Sequence, residues 1–248
     1  MSSGIVYSDY DPLAQIYNQV WGEELAEVAL QPVEQLLLKH LPKEAHILDL
    51  CCGSGQLAQK LLLKGYKVTG IDGSEKMLHY ARENAPAGQF ILDDARFFKF
   101  PATFHGVIST TYALQYVMNI EELTSVFQNV YNALLDNGWF LFDLSLEERF
   151  QSSSWQGLAG GDVQDNYAWA MQRSYQAEEK IGCVKTTIFQ LIDEAWQRID
   201  NTTLMKCYFP EEIQPALESV GFKKISIYDA EGDFAMPISG KIYFVCQK

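Results

Sequence analysis

Positive charge is scarce in this chain: 19 lysines and arginines stand against 32 aspartates and glutamates, a formal net charge of −13. Nucleic-acid binding works by neutralising phosphates with a basic surface, so this balance argues against a nucleic-acid partner and equally against an anionic membrane. Cysteine is sparse too. The five (Cys51, Cys52, Cys183, Cys207, Cys246) are odd in number and lack metal-ligand spacing, so they are expected to be reduced thiols. Only four histidines occur. His40 and His79 fall in helical stretches, His46 opens a strand and His105 precedes one on the surface; none has a partner at ligand spacing, so no metal is expected. No apolar run reaches the length of a bilayer span, and MSSGIVYSDYDP has no apolar core like that of a secretory leader. The expectation is a cytoplasmic protein with no membrane partner.

What is present is ordinary globular material. The 248 residues are 48% hydrophobic and 21% charged, which suits one large domain or one domain carrying an inserted cap. Val33, Leu36, Leu37 and Leu41 recur at helical spacing within Leu25–Leu41, with Pro32 as a kink or a second start. From His46 onward strand-like and helix-like segments alternate. HILDLC (His46–Cys51) reads as a strand, and 56–64 as a helix closed by Gly65. KVTGID (Lys67–Asp72) is the next strand, and Ser74 caps a helix running to about Asn84. Gln89–Leu92 and Gly106–Thr111 are further strands. Asn119 with Glu122 resembles a capping box for a helix whose face carries Leu123, Val126, Phe127, Val130 and Leu134, and which Gly138 ends. WFLFDL (Trp139–Leu144) is an apolar strand. Alternation of this kind implies a parallel, doubly wound α/β sheet.

Near Ser145 the rhythm changes. Residues 151–154 and 157–161 read as loops, and three strand-like runs follow without helices between them: Tyr167–Tyr175, Ile181–Ile192 and Ala195–Phe209. Turn-like AEEKIG and DE separate these runs, which indicates an antiparallel meander. Pro210 opens a helix that Gly221 closes, and Phe222–Tyr228 with Ile242–Cys246 form a final strand pair. The expected organisation is a nucleotide-type domain from residues 1–144 and 207–248, with an antiparallel β insert at 145–206 capping the active site.

The strongest chemical signal is LDLCCGSG, Leu48 to Gly55, between a strand and a helix. Gly53 and Gly55 permit a tight turn and close approach of a ligand, and the following helix N-terminus favours a carboxylate. NAD enzymes share such a turn, but Asp49 inside the motif would repel a pyrophosphate and suits a cationic amine or sulfonium. Asp72, ending the second strand, can accept both hydroxyls of a ribose. Asp93 and Asp94 follow the third strand; neighbours on extended chain point to opposite faces, so one of them, Asp94, is the candidate acceptor for an adenine amino group, with the Ala95 amide beside it.

Together LDLCCGSG, GIDGSEKML, DDARFF and LLDNGWFLFDL resemble the class I S-adenosylmethionine (SAM)-dependent methyltransferases, over Ile47 to Leu144. The end segments YDPLAQIYNQVWG and SGKIYFVCQK are similar to small-molecule N-methyltransferases of the amino-sugar and glycine type. The resemblance implies a Rossmann-like seven-stranded sheet of order 3-2-1-4-5-7-6 with its last strand antiparallel, and SAM as cofactor with S-adenosylhomocysteine (SAH) as product. It implies that Asp49, Cys51, Gly53 and Gly55 surround the methionine part, Asp72 and Gly73 the ribose, and Met77, Asp94 and Ala95 the adenine. Thr110 would contact the SAM amino group through its backbone. Tyr10, Tyr17 and Trp21 would close over the methyl donor, and Tyr116 would lie in the catalytic region. One departure is His105 in FHGV, where the family commonly has Asp.

Because a sulfonium is already activated, the chemistry asks mainly for alignment and for a route by which a proton leaves an ammonium. Tyr10, Tyr17 and Tyr116 are the catalytic candidates; Trp169, Arg173 and Trp196 in the insert are weaker substrate-contact candidates. The fourth strand ends in TTYALQY and lacks the Asn/Asp-Pro-Pro-Tyr signature of base and amide methyltransferases. The expectation is therefore methyl transfer to a small-molecule amine by a monomer or homodimer. O-methylation of a carboxylate or hydroxyl is the alternative; a non-catalytic SAM-binding protein and an NAD-dependent dehydrogenase are rivals of another class.

Overall fold

Helical backbone begins at Asp11 and continues through His40, well before the Leu25 start that apolar spacing suggested. Pro12 sits in the first turn, where its missing N–H would have had no helical partner anyway. The structure, a computed structural model, describes residues 10–248; residues 1–9 of the expected first segment lie outside it. Regular α-helix spans Gly22–Pro32, flanked by wider π-turns at Tyr17–Trp21 and Val33–Leu37. Pro32 neither breaks nor restarts the helix: its ring removes one rung of the ladder, and the wide turns that follow absorb the loss.

Strands β1 (His46–Leu50), β2 (Lys67–Asp72), β3 (Gln89–Leu92), β4 (Phe104–Ser109) and β5 (Leu134–Ser145) pair in parallel. Strand β11 (Lys241–Gln247) lies antiparallel to β5, and β10 (Lys223–Asp229) antiparallel to β11. The seven-stranded order is β3-β2-β1-β4-β5-β11-β10, the expected 3-2-1-4-5-7-6 arrangement with a reversed last strand. Successive residues on the central strands bury opposite faces. Leu48, Val107, Phe140 and Phe142 pack with Leu123, Val126, Phe127 and Val130 from the helix Ile120–Ala133. Ile47, Ile108, Leu141 and Val245 pack with Val33 and Leu37 and with Leu57 and Leu61 of the helix Gln56–Leu63.

Two boundary readings need correction. The helix Ile120–Ala133 ends before Leu134, not at Gly138; Leu134 already pairs with Phe104 and begins β5, whose turn-like Asn137 (φ 64°) disguises the strand. His105 lies inside β4, where its Nδ1 accepts the His46 amide at 3.1 Å, so it is a sheet residue and not a surface one.

Between β5 and the helix Pro210–Val220 stands a second sheet, β6 (Gly157–Val163), β7 (Tyr167–Gln176), β8 (Ile181–Ile192) and β9 (Ala195–Lys206), antiparallel in the order β6-β7-β8-β9. It has four strands where three were expected. The extra one, β6, was taken for loop because of its glycines. A Cβ on Gly160 would stand 3.2 Å from the Trp169 ring, so small residues let that indole rest on its neighbour strand. Alternate residues of this sheet face inward: Trp169, Met171 and Arg173 on β7, Val184 and Thr186 on β8, Thr203 and Met205 on β9 all line one cavity. Gln115 ties the two sheets together, its fully buried amide donating to the Ser145 and Lys206 carbonyls and accepting the Ser145 amide. No helix among the described residues is long and apolar enough to cross a membrane.

Candidate active site

The carboxyl ends of β1, β2 and β4 and the inner face of the second sheet enclose a cavity of about 530 Å³. Its floor begins at the turn after β1, where Cys51 (φ 62°) and Gly53 (φ 53°) take left-handed conformations. Such geometry in a non-glycine residue persists only where the surroundings fix it. The Gly53 amide donates to Asp72 Oδ2 at 2.8 Å and the Ser74 amide to Asp72 Oδ1 at 2.9 Å, stitching the loop after β1 to the loop after β2. Burial nevertheless pushes the Asp72 carboxyl up to about 6 against the pull of these hydrogen bonds. Asp49 is 2% exposed, and its Oδ2 has no hydrogen-bond partner. Burial, then the charge of Asp72, raises Asp49 to about 7. An unpartnered buried carboxylate oxygen is costly unless a donor or a cation arrives to meet it.

Of the residues singled out from sequence, Cys51, Gly53, Asp72, Gly73, Met77, Asp94 and Ala95 line one side of the cavity, and Tyr10, Tyr17, Trp21 and Tyr116 another. Asp49 and Thr110 line a narrow recess that shares Tyr17, Cys51 and Thr111 with it. Gly55 lines neither. A Cβ there would stand 2.8 Å from Ala81 Cα, so packing against that helix requires glycine as well as the left-handed turn (φ 82°) does. Asp94 is more occupied than expected: it accepts from Arg96 Nη2 at 2.6 Å, Nε at 3.0 Å and the Arg96 amide at 2.8 Å, which leaves it little spare capacity for a ring amine. Trp196 is 53% exposed and absent from the lining, because it points to the outer side of β9; Trp169 and Arg173 face inward.

The aromatic wall consists of two groups of touching rings. Tyr10 meets Tyr116 edge-on at 5.3 Å, Trp21 meets Tyr17 at 6.2 Å, and Trp21 meets Trp169 at 5.0 Å, so the N-terminal helix is keyed to the roof. Burial first, then neighbouring Tyr116, raises the Tyr10 hydroxyl, and burial raises Tyr17. Both stand as neutral hydroxyls. Polar ties fix the helix from below: Asp11 accepts from Ser74 Oγ at 2.5 Å, and Asn18 Oδ1 accepts from Gln56 and Asn84 at 2.8 and 2.7 Å.

Sequence reading missed the support behind this wall. Thr111 and Tyr112 are consecutive left-handed residues (φ 60° and 63°), and Asp143 holds the turn by accepting both amides, at 3.0 and 2.6 Å. Lys241 pairs with the same carboxylate. The sequence signal was a charged residue inside one apolar strand, Asp143, and another at the start of a second, Lys241. Arg149 also lines the cavity and was not singled out. The histidines are structural: His40 stacks on Trp139 at 4.1 Å, His46 Nε2 bonds Thr69, and His79 lies exposed beside Glu83.

Residues 47–138 match the family described as "Methyltransferase domain". Over 247 residues the chain is 27% identical to YqeM of Bacillus subtilis (strain 168), itself named a methyltransferase only provisionally; the match covers 94% of this chain and 96% of that protein. A solved SAM-dependent methyltransferase from Clostridium acetobutylicum ATCC 824 shares the fold with a TM-score of 0.74 at 17% identity, over 96% of this chain and 98% of the other. SAM-bound CalS10, described as an amino pentose methyltransferase of Micromonospora echinaspora, does so with a TM-score of 0.70 at 19% identity, over 97% of each chain.

Proposed function

We propose that this chain is a class I SAM-dependent methyltransferase and that it methylates an amine nitrogen of a small molecule, a reading supported by the methyltransferase-domain match over residues 47–138 and by the shared fold. The observation that carries the reading is the convergence of Tyr10, Tyr17 and Tyr116 on a roofed aromatic cavity. A neutral hydroxyl can accept an amine N–H and so direct the lone pair. A carboxylate in that place would instead favour the unreactive ammonium. The description of CalS10 as an amino pentose methyltransferase lends support.

The residues present fit the cofactor. The unpartnered Oδ2 of Asp49 suits the ammonium of its amino-acid end, and Asp72, gripped by two amides, keeps lone pairs for ribose hydroxyls. Gly53 adds no side chain between Tyr17 and this floor; a Cβ there would already touch the Tyr17 ring at 3.5 Å. Met77, Ala95 and part of Asp94 would flank the adenine. SAM supplies a methyl group on a sulfonium sulfur. Transfer would form the N–C bond as the S–C bond breaks, the sulfur keeping the electron pair and the surplus nitrogen proton passing to solvent water.

The chain's own work is to align and to dry the site. Holding both reactants in line is worth up to ~7–11 kcal/mol of barrier in favourable cases. The Trp21–Trp169 contact and the inward residues of β7–β9 exclude water. In this reading residues 145–206 act as a cap on the SAM-binding unit of 1–144 and 207–248, in a cytoplasmic monomer or homodimer.

Calorimetry with SAM, SAH and NAD, followed by a screen of small amines with methyl-labelled SAM, tests the proposal. Binding of both sulfur nucleosides but not NAD, with an N-methyl product, is the expected result. An ester or ether product would favour O-methylation instead, and cofactor binding with no transfer to any acceptor would favour a non-catalytic SAM-binding protein.

A further inference from the structure

Three arginines line the cavity, and they are not alike. Arg96 is neutralised by Asp94 and Glu122. Arg149 and Arg173 make no ion pair among the described residues, and the Arg149 Nε is buried without a hydrogen-bond partner. Of the two carboxylates just before Arg149, Glu147 is already engaged by Lys180 and Tyr175, and Glu148 is exposed. Each free guanidinium lies instead against an aromatic ring: Arg149 is 5.3 Å from the centre of Tyr112, and Arg173 is 5.8 Å from that of Trp155. They are near enough that Arg149, after burial, is the next cause lowering Arg173.

Two like charges, partly withdrawn from water and given no counter-ion, are unfavourable in the ligand-free fold. Their placement is the more telling in a chain of net charge −13, where carboxylates are plentiful and none among the described residues pairs with either. Guanidinium forks match the two oxygens of a carboxylate or phosphate, and the ring beneath each fork fixes its plane. Arg149 follows β5 and Arg173 lies on β7 in the roof, whereas Asp49 and Asp72 end β1 and β2 across the sheet.

We infer that the methyl acceptor is an anionic small molecule whose carboxylate or phosphate is held by Arg149 and Arg173 while the tyrosine wall presents its nucleophile. This rests on the reading of the cavity as an acceptor site. It narrows the acceptor from any small amine to one bearing a carboxylate or phosphate.

The test is calorimetry on the full chain loaded with SAH, titrated with pyrophosphate and, separately, with succinate. Saturable binding of pyrophosphate assigns a phosphate-bearing acceptor, and of succinate a carboxylate-bearing one. Arg149→Gln and Arg173→Gln are each expected to weaken that binding at least tenfold while SAH affinity stays within twofold. Arg149→Lys and Arg173→Lys, which keep the charge and perturb folding less, are expected to weaken it severalfold through loss of the fork. Arg198→Gln, which removes an exposed arginine paired with Asp200 on the same sheet, should leave it unchanged. The inference is overturned if neither anion binds, or if Arg198→Gln weakens binding equally. It is also overturned if the cavity variants lose SAH in step with the anion, since the arginines would then serve the cofactor's carboxylate. Failure of the unmodified chain to bind SAH at all would instead sink the methyltransferase-site reading, and the first titration reveals this before any anion is added.

Discussion

Asp143 and Lys241 pair at 2.8 Å with side chains 0% and 3% exposed, and the same carboxylate holds the amides of Thr111 and Tyr112. A buried ion pair seldom adds net stability, because the desolvation of both charges offsets their attraction. Here it serves position: two adjacent left-handed residues are fixed at the cavity wall by a carboxylate that is itself fixed from β11. Asp143→Asn or Lys241→Met should each cost ~3–5 kcal/mol, since either leaves a charge buried alone or a strained turn unheld. The double variant should cost less than the sum, and a denaturation cycle of the four proteins measures the difference.

Asp49 and Asp72 make ligand-free stability depend on pH in an unusual sense. Both carboxyls are raised on folding, from 3.8 to about 7 and about 6. The folded chain therefore binds protons more tightly than the unfolded one. The stability these groups contribute is fully present below 3.8 and is lost as the pH rises through about 6 and about 7. Urea midpoints from pH 5 to 8 should fall, and Asp49→Asn should flatten the slope.

Cofactor affinity should run the other way. An ammonium needs Asp49 charged, so binding of SAM should tighten as the pH rises through about 7, with proton release seen as a buffer-dependent enthalpy. Asp49→Asn and Asp72→Ala should each lose ~1.5–3 kcal/mol of affinity, as expected for hydrogen bonds to a charged group. Asp49→Asn should bind worse while folding at least as well, and equal affinity with the parent would remove Asp49 from the site.

Gly53 and Gly55 should part company. Alanine at Gly55 meets Ala81 Cα at 2.8 Å in a left-handed conformation (φ 82°). Overpacking costs about 1–3 kcal/mol and the backbone about 1–2 more, so thermal melting should show a large stability loss. Alanine at Gly53 shares the left-handed backbone cost (φ 53°) but meets only the Tyr17 ring, at 3.5 Å, so it should lose less stability than Gly55→Ala and also weaken SAM binding.

If Tyr17, which lines the cavity with a buried hydroxyl, directs the acceptor as proposed, Tyr17→Phe should lower kcat on the order of tenfold or more while cofactor affinity changes little. Equal losses in both would assign Tyr17 to cofactor binding alone.

Local pattern determined a good deal of this protein. Strand-turn-helix alternation from His46 to Leu144 wrote the parallel sheet, because period-2 and period-3.6 burial are properties of neighbouring residues. LDLCCGSG and Asp72 were legible because a tight turn and a strand-end carboxylate carry their meaning within a few positions. β6 was hidden because its glycines answer to Trp169, a residue on another strand. The packing demand on Gly55 was hidden for the same reason, its partner being Ala81 on a different helix. Tertiary structure alone decided which of many tyrosines converge, that Asp143 and Lys241 meet across β5 and β11, and that Arg149 and Arg173 share a cavity with no counter-ion among the described residues. Such pairings join residues far apart in the chain. Charge, burial and unmet hydrogen bonds acquire a function there only once the sheet has brought them within a few ångströms.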